Sequence, residues 1–174
     1  MTRPVDPSIG DPGVRDPGSG FAAFVREHTP ALLRTAYVLT GDALSAEELV
    51  QDTMVRLLPK WAKVESADLP LAYVRRSLAN QYVNTRRRAS RREFAYADVP
   101  ERVDDHDAVG QLADRDQLWA GLGTLPDRQR AALVLRYYED LSDADIADTL
   151  HARVGTVRSL ISRGLATLRA EMTP

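Results

Sequence analysis

Leu125–Arg169 reads LPDRQRAALVLRYYEDLSDADIADTLHARVGTVRSLISRGLATLR, and its periodicity spells three helices, the last two joined by a four-residue turn, His151 to Val154. The middle helix opens at Ser142, whose hydroxyl can accept from a free first-turn amide. Asp145 answers three residues on in a capping box, and Asp143 favours the positive end of the helix dipole. Its buried stripe is Ile146, Ala147 and Leu150, with Ala147 small enough for a close helix crossing. The stripe resumes after the turn as Val157, Ile161, Gly164, Leu165 and Leu168, with a narrow Gly164 at the crossing. Arg158, Ser159, Ser162 and Arg163 then share the outer face. Two helices in this order form a helix-turn-helix, in which the second lies in a DNA major groove and arginine pairs with guanine. A single basic amphipathic helix more often has a merely solvated outer face; the cap, the small-residue crossing and the basic face in sequence weigh against that here.

The 174 residues allow one or two small domains, and 44% hydrophobic content suits a globular chain. With no cysteine there is no disulfide framework or thiolate site. No apolar run approaches a membrane span and the N-terminus is polar and proline-rich, so the expected location is cytoplasmic, with no membrane partner. A net charge of −2 looks wrong for a DNA binder until it is mapped. Leu69 to Arg92 holds no acid and seven arginines (Arg75, Arg76, Arg86, Arg87, Arg88, Arg91 and Arg92), whereas Glu93 to Asp116 holds eight acids against two arginines. The local patch is the better guide to a polyanionic partner.

The expected architecture is all-α: two small helical domains, at 21–92 and 112–174, joined by a flexible acidic linker at 93–111. Residues 1–20, rich in Pro, Gly and Asp, form a disordered tail. Helices are predicted at Phe21 to Leu39, Ser45 to about Leu58 and Leu69 to about Arg88. Pro30 should kink or split the first, and Pro59 should end the second. The linker's roughly twenty residues reach at most ~70 Å when extended, about two turns of duplex. The second helix opens with a Ser45–Glu48 capping box and buries Ala46, Leu49, Val50, Thr53 and Leu57, leaving a polar opposite face. The third, LPLAYVRRSLANQYVNTRRRASRR, interleaves Tyr73 and Tyr82 with amides and arginines, which can stack on exposed bases and neutralise phosphates. The plainer reading makes both tyrosines core residues.

LPDRQRAALVLRYYEDLSDADIADTL followed by VGTVRS and LATLR resembles region 4 of the sigma-70 family of RNA polymerase initiation factors, in its extracytoplasmic-function class and its actinobacterial sigma-E-like subfamily. AEELVQDTMVRLL and PALLRTAYVLTGD resemble region 2 of the same family. The likeness covers about residues 21–92 and 112–171. It implies a factor that binds core RNA polymerase and directs initiation at promoters. Glu48, Gln51, Asp52 and Arg56 would dock on the clamp helices of the largest subunit, with the flap a second contact. Arg76, Asn80, Asn84, Arg86 and Arg87, with the loop Ala62 to Asp68, would hold the melted minus-ten strand. Arg153, Thr156, Arg158, Ser159, Ser162 and Arg163 would face the minus-thirty-five duplex. An anti-sigma factor is a further partner the family implies.

Three departures stand out. His151 replaces a usual turn glycine, which implies a strained or reshaped turn; Arg153 replaces a capping serine; Leu160 replaces a frequent basic residue. Leu58, for a frequent tryptophan, reads as a core-packing variation. The acidic segments 93–116 and 139–148 should oppose free DNA binding.

Other readings stay open at this stage. A stand-alone helix-turn-helix regulator would bind its operator unaided, usually as a dimer. A protein-interaction module with degenerate DNA contacts is a third. An enzyme has little support, because His28, His106 and His151 are scattered and no nucleophile has a neighbouring base. No metal ligands or cofactor motif are expected.

Overall fold

The computed structural model describes the backbone of residues 17–93 and 113–172 and the side chains of 20–87 and 118–171. Every regular element among the described residues is helical, and the helices form two lobes. The first holds α1 (Pro17–Thr40), α2 (Ala43–Leu57), a 3-10 turn (Leu58–Lys60), α3 (Trp61–Glu65) and α4 (Pro70–Glu93). The second holds α5 (Ala113–Thr124), α6 (Asp127–Leu133), a π-helical turn (Val134–Tyr138), α7 (Asp143–Thr149) and α8 (Val154–Met172). Residues 1–16 of the expected tail and 94–111 of the expected linker lie outside the described residues. Residues 17–20 of that tail form the first turn of α1 instead.

Pro30 does not split α1. Its missing N–H deprives the Arg26 carbonyl of an intrahelical partner, but both residues are exposed, so water can serve that carbonyl. The helix stops at Gly41, whose φ of 87° needs a residue without Cβ and whose N–H reaches the Tyr37 carbonyl at 2.8 Å. Asp42 then caps α2 in extended conformation, its carboxylate accepting from Ser45 N–H at 2.8 Å. This corrects the expected Ser45 cap: Ser45 is the third residue of the helix, and its amide is the one being capped. Such a cap contributes about 1 kcal/mol. The predicted buried stripe of α2 is present, with Met54 added.

Beyond α2 the chain departs from expectation more sharply. Pro59 does end the helix, but the segment read as the loop Ala62 to Asp68 starts inside α3. Leu58 is 49% exposed rather than a core variation, and Trp61 fills the core, 3% exposed. Three residues on, Trp61 meets Phe21 at 5.1 Å between ring centroids and Phe24 at 4.9 Å.

The second lobe matches its sequence closely. Ser142 caps α7, its Oγ accepting from Asp145 N–H at 3.1 Å. Ile146, Ala147 and Leu150 are buried as expected, and Val157, Gly164 and Leu168 face the core with Ile161 and Leu165 half-buried. A Cβ on Gly164 would stand 2.8 Å from Leu133 Cδ1, so the narrow residue lets α8 cross α6 at contact. Leu160 is buried, which gives a packing reason for an apolar residue there. Val154, read as turn, is the first residue of α8. His151 takes φ of 48° while Ala152 N–H reaches back to the Ala147 carbonyl at 2.9 Å. The turn thus keeps the left-handed helix stop that glycine favours, with histidine bearing the strain.

The two lobes do not stand apart. Core residues of α1, α2 and α4 form one continuous cluster with those of α6, the π-helical turn, α7 and α8. Arg130, 4% exposed, donates from α6 to the Leu39 carbonyl at the end of α1 at 3.0 Å. Trp119 of α5 meets Tyr37 of α1 at 5.2 Å between ring centroids. Each lobe alone has a small core, and docking enlarges it.

Candidate polymerase and nucleic-acid interfaces

Three groups of residues were singled out by sequence, and the fold treats them differently. Glu48, Gln51, Asp52 and Arg56 are all exposed on α2 because Ala46, Leu49, Val50 and Thr53 turn the other side inward. The same side carries exposed Leu44 (69%) and Val55 (68%), and Leu58 follows at its end. Exposed leucine and valine among charges suit a protein partner better than solvent alone. Leu58, read from sequence as a core residue, is exposed because Trp61 takes that place in the core.

Arg153, just before α8, is exposed, and on α8 Thr156, Arg158, Ser159, Ser162 and Arg163 are exposed as helical spacing opposite Val157 and Leu160 requires. Arg158 Nε pairs with Asp143 Oδ2 at 3.0 Å, and Arg163 Nε turns to the Ser159 carbonyl at 3.2 Å. The outer face is basic and carries hydroxyls, the chemistry that reads base edges in a major groove.

The α4 group is the one the structure rearranges. Arg87 is exposed, but Arg76, Asn80, Asn84 and Arg86 are only partly so. Arg76 Nη2 pairs with Asp145 Oδ1 of α7 at 2.8 Å. Asn80 Nδ2 lies 3.2 Å from His151 Nε2 and accepts at Oδ1 from Asn84 Nδ2 at 2.9 Å. Arg86 stands over the Tyr82 ring at 5.9 Å. Tyr82 itself, an expected base-stacking aromatic, is 2% exposed and cannot stack on a strand in this arrangement. Tyr73 is half-buried against the core.

Arg75, absent from the expected contacts, pairs through Nη1 with Glu139 Oε2 at 2.9 Å. A polar cleft of about 140 Å³ between α2 and α4 is lined by Thr53, Arg56, Leu57, Lys60, Ser77, Asn80, Gln81 and Asn84. Arg56 Nη1 donates to Gln81 Oε1 across its mouth. Gln81 is one of the amides the sequence interleaves with the arginines of α4, whereas Ser77 carried no signal because it becomes polar lining only once α2 and α4 are side by side.

Two titrating groups mark the lobe interface. The Ser142 hydroxyl, donating to Asp145 Oδ2 at 2.6 Å, holds the Asp145 carboxyl below the usual carboxylate range; Arg76 adds to this against a desolvation that opposes it. Burial pushes the Tyr82 phenol well above its ordinary 10.0, and the Asp127 charge reinforces the shift against Arg130 and Arg86. Tyr82 Oη donates to Asp127 Oδ1 at 2.9 Å. A raised phenol pKa gives stability that is fully present below the unfolded value and lost as pH rises beyond it. Wild-type stability to urea should therefore fall above about pH 10 by up to about 1.4 kcal/mol per pH unit more than that of Tyr82→Phe. Parallel slopes for the two proteins would show that Tyr82 is not held neutral.

Among the described residues no cluster of three or more His, Cys, Asp or Glu could hold a metal, and no helix is long and apolar enough to cross a membrane.

Comparison with known proteins gives the geometry a setting. Residues 24–92 match the family described as sigma-70 region 2, and residues 115–168 match sigma-70, region 4. The RNA polymerase sigma-E factor of Streptomyces coelicolor is 36% identical over 152 residues, covering 87% of this chain and 85% of that protein. The ECF RNA polymerase sigma factor SigE of Mycolicibacterium smegmatis is 34% identical, covering 83% of this chain and 58% of that protein. The sigma factor RpoE of Bartonella quintana, solved in complex with the anti-sigma factor NepR, superposes with a TM-score of 0.70 at 26% identity, covering 88% of this chain and 97% of that one.

Proposed function

Since this chain belongs to the sigma-70 family of RNA polymerase initiation factors, in its extracytoplasmic-function class, we propose a division of labour among its exposed faces. The protein is a sigma factor: it binds core RNA polymerase and directs promoter-specific initiation. The observation that carries the division is the presence, in one chain, of an α2 face mixing charge with exposed leucine and valine and of an outward basic face on α8. A stand-alone regulator or adaptor has no use for both.

Glu48, Gln51, Asp52 and Arg56 of α2 dock on the clamp helices of the largest subunit, while region 4 meets the flap. Arg153, Thr156, Arg158, Ser159, Ser162 and Arg163 set register on the minus-thirty-five duplex. Arg76, Asn80, Asn84, Arg86 and Arg87 take the opened minus-ten strand. Binding exposed bases offsets an unstacking cost of a few kcal/mol per step, so the open state is trapped rather than forced. Catalysis belongs to the polymerase; the factor itself is not an enzyme and works in the cytoplasm. The superposable fold of a sigma factor solved with its anti-sigma factor supports a sequestering partner of that kind here.

Run-off transcription on genomic fragments, with core polymerase and with or without the protein, tests the reading. Defined start sites should need the protein. Asp52→Lys should abolish both those transcripts and co-elution with core polymerase on a sizing column, with helix content unchanged. Full co-elution of that variant would remove α2 from the docking role.

A further inference from the structure

We propose that the polar cleft between α2 and α4 is a binding site for the phosphate group of a nucleotide, neutralised by Arg56 and Lys60 and hydrogen-bonded by Gln81. One wall is a stripe of α4, Ser77, Asn80, Gln81 and Asn84, at the i, i+3, i+4, i+7 spacing of a single helix face. Arg56 of α2 and Lys60 at the end of the 3-10 turn stand on the other wall. Where two helices lie side by side, such stripes ordinarily carry apolar residues. Here Leu57 is the one apolar residue of the lining, and the seam leaves a cleft of about 140 Å³ in place of packed side chains.

The lining holds two cations and no carboxylate. Neither Arg56 nor Lys60 makes an ion pair among the described residues. Donors also outnumber open acceptors. Arg56 Nη1 donates to Gln81 Oε1, which leaves the Gln81 N–H groups, the rest of the guanidinium and the whole Lys60 ammonium for a ligand. Asn84 Nδ2 donates to Asn80 Oδ1 at 2.9 Å, and Ser77 Oγ donates to the Tyr73 carbonyl at 2.9 Å. What this lining lacks is negative charge and acceptor oxygen, and a phosphate supplies both. The Asn80 and Asn84 amides can pair with the polar edge of the attached base. A plainer reading makes Lys60 the complement of the negative end of α2. That accounts for Lys60 but not for the polar stripe opposite it. The same lining serves a free nucleotide or one nucleotide within a strand, so the site does not depend on α4 being a strand-binding helix.

Side-chain amide resonances of the full chain, followed by NMR at constant ionic strength, should shift saturably with inorganic phosphate and with deoxyadenosine 5′-monophosphate, but not with chloride. Lys60→Met removes one charge at an exposed position and should weaken both ligands about tenfold, while Lys60→Arg should restore them. Gln81→Leu keeps the bulk but removes the donors, and should weaken both about fivefold. A fluorescein-labelled, mixed-sequence single-stranded 12-mer separates the two sources of phosphate. If the site takes a nucleotide of the strand, Lys60→Met flattens the log–log salt dependence of 12-mer binding by about 0.7. An unchanged slope, with mononucleotide binding weakened, assigns the site to a free nucleotide. The absence of a saturable shift in the wild type, or wild-type affinity in Lys60→Met, would overturn the proposal. Wild-type affinity in Gln81→Leu would overturn it as well, because diffuse attraction to the arginines of α4 needs no amide.

Discussion

Run-off transcription from a promoter that depends on its minus-thirty-five element is expected to fall about a hundredfold when Arg158 and Arg163 are both changed to alanine. Both side chains are exposed on α8, one turn and a half apart, on the side opposite buried Val157 and Leu160. A good arginine contact to a base edge discriminates by about 1–3 kcal/mol, and two losses of about 1.4 kcal/mol each compound to that factor. Core polymerase should co-elute with the variant as before, because α2 is untouched. If the arginines serve phosphates instead, the loss should be uniform across sequences and the salt dependence should flatten by about 0.9 in log–log slope per contact. Undiminished transcription would leave an adaptor role as the better account of region 4.

Trp61→Ala should be the most damaging substitution in region 2, at about 3–5 kcal/mol. The indole is 3% exposed and packs edge-on to Phe21 and tilted against Phe24, so α1 and α3 lose their shared contact together. Against a total stability of about 5–15 kcal/mol this is a large share. Thermal melting followed by circular dichroism should show a midpoint lower by about 10 °C or more. Leu58→Ala, at a half-exposed site three residues earlier, should cost under about 1 kcal/mol. Equal effects at the two positions would mean that Trp61 does not occupy the core.

The contrast between those two positions shows where sequence reasoning works and where it fails. Long amphipathic helices were legible because period and burial are set by the helix itself: the stripes of α2 and α8 are buried as their spacing requires, and Ser142 caps α7. Short elements were not. Between Leu58 and Glu65 the chain makes a 3-10 turn and one and a half turns of helix, too short for a periodic pattern, so which aromatic or aliphatic residue points inward is decided by α1 across the way. Asp42 escaped notice as a cap because Ser45 offered an equally plausible capping box three residues on; the left-handed Gly41 fixes the frame that selects Asp42.

The same division runs through function. Regions 2 and 4, the polar face of α2 and the basic face of α8 belong to the sequence, since each depends on residues within one helix. What Arg76, Asn80 and Tyr82 touch does not. Glu139 lies 64 positions from Arg75, and Asp145 69 positions from Arg76, so no local pattern could pair them. Only the docking of one lobe on the other brings those charges together, and there the buried Tyr82 and Glu139 are held by neighbours contributed from both halves of the chain.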